Sequence, residues 1–116
     1  DIAGNLPLYL LWLSIAWISA GFGEEMFFRG FLITKFQAVF SGMKFGSLLS
    51  IILAALIFGY GHFYYQGLRG LVVTGAIGFA FGACFLLFKR NLWPLIFLHG
   101  LIDSLMFTST YANWDA

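Results

Sequence analysis

Apolar residues run in four long stretches, separated by short polar connections. The first extends from Leu6 to about Phe40. As a straight helix it would cover roughly 50 Å, against a hydrocarbon core of about 30 Å. It is therefore expected either to kink near Gly21-Phe22-Gly23 or to leave the membrane as an amphipathic helix. The second stretch is Ser47 to Tyr65, the third Leu71 to Phe88 and the fourth Leu92 to Tyr111. Pro94 falls in the first turn of the fourth, where proline is tolerated. Each of the last three is close to the roughly 20 residues that a spanning helix needs. Ser41 to Lys44, Gln66 to Gly70 and Lys89 to Asn91 form the breaks, and their residues suit turns and interfaces. Backbone groups in lipid must be satisfied within their own segment, which makes these stretches helices. The expected fold is all-α: a polytopic transmembrane helical bundle with about four membrane helices in residues 1–116, as a single domain.

The third stretch carries Gly75, Gly78 and Gly82, with Ala76 and Ala80 between them. Small residues at this spacing let helices approach closely, so they are read as packing positions. Gly59-Tyr60-Gly61 resembles part of a nucleotide loop, but a bare GxG inside an apolar helix is a very weak signal.

Composition supports lipid as the solvent. Of 116 residues, 61% are hydrophobic and 9% charged, too few charges to cover a water-facing surface. Aromatics make up 21%, which suits greasy faces and interfacial belts. No basic run is present, so no nucleic-acid partner is expected. Cys84 is the single cysteine, which excludes an internal disulfide and a cysteine-rich metal site. The chain opens on Asp1 without a leader pattern, and it is expected to be a piece of a longer polytopic protein. Lys35, Lys44, Lys89 and Arg90 flank two connections, while only Arg69 lies at the other. Positive charge favours the cytoplasmic side, so those two connections are expected to face inward, in a bacterial plasma membrane.

The polar residues inside apolar stretches change the picture most. Glu24, Glu25, Arg29, His62, His99 and Asp103 all lie there. A charge at membrane depth costs roughly 2.5–3.5 kcal/mol on insertion scales, so these groups must face one another or a wet cavity. Glu25 and Arg29 are four residues apart and can pair on one helix face. Glu24 would point about 100° away from Glu25. His99 and Asp103 are also four apart, as are Phe58 and His62. Along an ideal helix His62 falls roughly 24 Å from Gly46, deeper than Glu24 and His99, so the helices must be staggered or tilted.

Glu24-Glu25-Met26-Phe27-Phe28-Arg29 fits EExxxR, Phe58-Gly59-Tyr60-Gly61-His62 fits FxxxH, and His99-Gly100-Leu101-Ile102-Asp103 fits HxxxD. In this order, on separate apolar segments, they resemble the CPBP intramembrane proteases. That family comprises CAAX proteases and bacteriocin-processing enzymes and is also called the abortive-infection family. The resemblance covers about Leu6 to Tyr111 and includes the Arg29-Gly30 step. It implies an intramembrane endopeptidase whose substrate is a peptide or protein, either prenylated or a leader peptide. It further implies a catalytic set of Glu24, Glu25, Arg29, His62, His99 and Asp103, with Phe58 in support. Glu24 would be the general base, since a carboxylate shielded from bulk water abstracts a proton efficiently near neutral pH. His62 would hold and polarise the water. His99 and Asp103 match the positions assigned to the oxyanion hole, and Arg29 with Glu25 would hold the helix. Asp103 departs from the Asn of the best-known eukaryotic members; an ionised Asp cannot donate to an oxyanion, so Asp103 is either protonated or orients His99. The family has been described both as metalloproteases and as metal-free glutamate proteases. Glu24, His62 and His99 would be the zinc ligands if metal is used. The absence of HExxH tips the expectation towards no metal.

Two other functions share these residues. One is a non-catalytic immunity or partner-binding protein on the same scaffold, which would tolerate Glu24→Gln. The other is a proton-coupled transporter, whose relay would use the same buried acids and histidines. Each polar group also has a structural reading: Glu24 and Glu25 opening a surface helix, His62 in an interfacial belt, His99 with Asp103 as a clamp between helices.

Overall fold

The computed structural model describes residues 1–114. These are helical through nearly their whole length, with no strand among the described residues. Three helices are long and apolar enough to cross a membrane: Leu6–Val39, Gly46–Leu87 and Trp93–Ala112. The fold class is the expected one, a polytopic helical membrane protein. The first of these helices opens as α1 (Leu6–Ile15) and closes as α2 (Thr34–Val39). Between them, Ala16–Glu24 and Met26–Ile33 form wide π-helical turns. Such turns bond i to i+5 and are frequent at functional sites. Glu24, Glu25 and Arg29 all sit in or between these two segments.

The second long helix, α3 (Gly46–Leu87), is 42 residues long, about twice what one span requires. It is broken at Gly67, whose φ of 67° and ψ of −154° only glycine adopts readily. The break divides α3 into two span-length arms, residues 46–66 and 68–87. It falls within the expected connection, though the second arm starts earlier than the apolar pattern indicates. The last helix, α4 (Trp93–Ala112), begins with Pro94 in its first turn, as expected.

The chain forms two compact units, one of residues 1–25 with the segment from Trp93 onward, the other Met26–Leu92. In the first unit α1 and the wide turns after it pair antiparallel with α4. Tyr9 stacks on Tyr111 at 4.4 Å, Trp12 meets Phe107 at 6.1 Å and Phe22 meets Trp93 at 6.2 Å. Polar ties run beside them: Tyr9 Oη to Thr108 Oγ1 at 2.6 Å, and Trp17 Nε1 donating to Ser104 Oγ at 2.9 Å. Exposed aromatic and aliphatic side chains cover the outside, as a lipid-facing surface requires.

In the second unit the two arms of α3 fold back on each other about Gly67. A Cβ on Gly59 would lie 3.1 Å from Gly75 Cα, one on Gly78 3.3 Å from Ala55 Cα, and one on Gly82 3.0 Å from an Ile51 methyl. The glycines read as packing positions therefore line the seam between the arms, and Gly59 belongs to that seam rather than to a ligand loop. Without a hydrophobic drive between helices in lipid, close backbone approach and dispersion hold such a seam together.

Candidate active site

Four motif residues converge within the first unit. Glu25 is fully buried, and its Oε2 lies 2.7 Å from His99 Nδ1. An ionised carboxylate only accepts, so Nδ1–H donates to Glu25 and the imidazole is fixed in orientation. The opposite ring nitrogen, Nε2, faces two more carboxylates: Asp103 Oδ2 at 3.5 Å and Glu24 Oε1 at 3.8 Å. Side-chain exposure grades across the cluster, from 0% for Glu25 and 12% for His99 to 22% for Asp103 and 37% for Glu24. Glu25 is thus the inner anchor, and Glu24 is the most accessible carboxylate.

The helices explain this placement. His99 and Asp103 lie one turn apart on α4, as their spacing indicates. Glu24 and Glu25 were expected to project in different directions. Both reach the same ring, because an imidazole offers nitrogens on two sides and each glutamate addresses one of them. Glu25, for which spacing predicts a pair with Arg29, is bonded to His99. The approach of α4 depends on small residues. A Cβ on Gly100 would overlap the Trp17 indole, and one on Gly21 would lie 3.3 Å from the Ile96 carbonyl oxygen. Trp17 therefore packs directly against the backbone next to His99. Nothing in the sequence marks Trp17 or Gly21, since an aromatic or a glycine in an apolar stretch is ordinary.

The second unit holds the other motif residues. Arg29 is buried at 2% exposure. Its guanidinium lies over the Phe58 ring at 4.6 Å and the Phe81 ring at 5.2 Å, and Nη2 donates to the Gly78 carbonyl at 3.4 Å. An aromatic cradle offsets part of the cost of burying this cation. Phe58 also packs edge-on against Phe28 at 4.9 Å. The first motif's Arg and the second motif's Phe are therefore in direct contact, and Phe81 joins them without any signal in the sequence. His62, half-buried one turn beyond Phe58, has Nδ1 2.9 Å from the Phe58 carbonyl oxygen. A carbonyl can only accept, so Nδ1–H donates to it.

Among the described residues, no three His, Cys, Asp or Glu side chains are grouped as ligands of a metal ion would be.

A family model for type II CAAX prenyl endopeptidase, Rce1-like, matches residues 6–105. The chain belongs to that family. The match includes all three polar segments, 24–29, 58–62 and 99–103, and agrees with the CAAX-protease resemblance those segments carry. No curated protein and no solved structure matches the chain. As a member of the Rce1-like family the protein belongs among membrane proteases, and its three membrane-capable helices agree with that.

Proposed function

We propose that this Rce1-like protein is an intramembrane endopeptidase in which Glu24 activates the hydrolytic water. The observation that carries the reading is the graded cluster around His99: a buried Glu25 on one ring nitrogen, and Asp103 with the more exposed Glu24 beside the other. Peptide hydrolysis needs a base for water and a donor for the developing oxyanion. Glu24 takes a proton from water as the water oxygen bonds to the scissile carbonyl carbon. His99, carried as an imidazolium among Glu25, Asp103 and Glu24, donates Nδ1–H to Glu25 and presents Nε2–H towards the negative charge that forms on the carbonyl oxygen. Asp103 orients the ring and balances its charge, the role left to it as an acceptor. The proton held by Glu24 then passes to the leaving nitrogen as the carbon–nitrogen bond breaks. The family pattern assigns His62 to holding the water.

A substrate presented from the bilayer follows from the membrane setting, and the family description points to a prenylated C-terminal CAAX peptide. The basic residues at two of the connections favour a cytoplasmic opening.

The test is cleavage of farnesylated CAAX peptides and of a mixed peptide library by the protein in detergent or lipid. Wild type and Glu24→Gln are compared, each with and without a strong zinc chelator. Cleavage lost in Glu24→Gln and indifferent to chelation supports the glutamate mechanism. Cleavage lost on chelation and restored by zinc moves it to metal. A folded wild type that cleaves none of these peptides favours a non-catalytic role for the scaffold.

A further inference from the structure

All six lysines and arginines of the chain lie in the second unit, and all five acids lie outside residues 26–92. Because α3 folds back at Gly67, the turns before residue 46 and after residue 87 meet at one end of the unit. Side-chain bonds staple that end together. Arg90 Nη1 donates to Gln37 Oε1 at 2.6 Å, Arg90 also bonds Thr34 Oγ1, and Gln37 Nε2 donates to Ser47 Oγ at 3.1 Å. Lys35, Lys44, Lys89 and Arg90 are all exposed at this end. Their neighbours are aromatic faces, Lys35 on Phe31 at 5.7 Å and Arg90 on Phe85 at 5.4 Å, and no acidic residue of the unit neutralises them.

The backbone adds an independent sign that these charges matter. Lys89 and Arg90 both have positive φ, 56° and 66°. They close the C-terminus of α3, with Arg90 N–H donating to the Phe85 carbonyl at 2.8 Å and Lys89 N–H to the Leu86 carbonyl at 3.1 Å. Glycine is the residue of choice after a helix in this conformation, and other residues adopt it at a cost. Two consecutive cations occupy the place instead.

We propose that this end of the second unit is a docking surface for anionic phospholipid headgroups. Connections between spanning helices lie at the level of the headgroups, where the cations meet phosphate while the phenylalanines beneath them stay in the acyl region. Negative lipid supplies the counter-charge that the unit lacks. Each cation near an anionic membrane surface contributes about fivefold in lipid preference. Headgroup binding at this end does not require peptide hydrolysis.

The full chain is reconstituted in equimolar phosphatidylglycerol and phosphatidylcholine and extracted in mild detergent, and the retained lipid is quantified. The variants are Lys35→Gln/Lys44→Gln/Lys89→Gln together and Arg69→Gln, which lies near the Gly67 break; Arg90 is left intact because it ties the turns. The expected result is phosphatidylglycerol enriched on the wild type and on Arg69→Gln, with at least a tenfold smaller enrichment on the triple variant. Should the triple variant fail to fold, raising salt on the wild type serves instead, and the enrichment must fall as the charges are screened. Equal retention of both lipids by the wild type, enrichment unchanged in a folded triple variant, or enrichment indifferent to salt overturns the proposal.

Discussion

Replacing Glu24 and Glu25 one at a time by alanine separates chemistry from scaffolding. Glu25 is fully buried and forms a 2.7 Å charge-assisted bond to His99. Breaking a buried pair from one side costs about 3–5 kcal/mol, and here Nδ1–H of the remaining ring loses its buried acceptor. At about 4 °C per kcal/mol for a domain of this size, Glu25→Ala should melt about 12 °C or more below wild type. Glu24 is 37% exposed and lies 3.8 Å from His99 Nε2. Its truncation belongs with exposed ion pairs, worth about 0–1 kcal/mol, and should move the melting point by less than about 4 °C. Cleavage should respond in the opposite sense: removing a general base costs about 10²–10⁴-fold in rate while the fold survives. The assay is thermal melting in one fixed detergent, paired with peptide cleavage below both melting points. Equal melting shifts for the two variants, or a Glu25→Ala protein as stable as wild type, would refute the assignment of anchor and base.

Other substitutions probe the same framework. Arg29→Ala should lose about 3 kcal/mol of stability in denaturant unfolding, and Arg29→Lys should recover only part of it, because an ammonium cannot lie flat between Phe58 and Phe81. Gly67→Ala should cost about 1–3 kcal/mol, since φ 67° with ψ −154° is closed to a residue with a Cβ; a melting point equal to wild type would mean that the two arms turn differently. Gly100→Ala should push Trp17 off the helix beside His99, lowering stability by about 1–3 kcal/mol and slowing cleavage at temperatures where the protein remains folded.

The order of the apolar stretches and their breaks established a polytopic helical membrane protein, because a chain with so few charges has no other way to satisfy its backbone in lipid. The glycines of the third stretch announced a close seam, and His99 with Asp103 announced a shared face, since both follow from helical spacing alone. Spacing could not supply partners that come from distant segments. It linked Glu25 to Arg29, four residues away, but the bond to His99 joins residues 74 positions apart and exists only once α4 packs against the turns before it. It placed Arg29 among ionisable groups, while the aromatic cradle of Phe58 and Phe81 forms only when α3 folds back at Gly67. The wide turns through residues 16–33 also redirect side chains from the angles of an ideal α-helix, so the directions of Glu24 and Glu25 were a matter for packing. The sequence by itself determined which groups had to be brought together, through the cost of a charge in lipid; the tertiary structure alone decided which partner each received, because partner choice depends on contacts between segments that are remote along the chain.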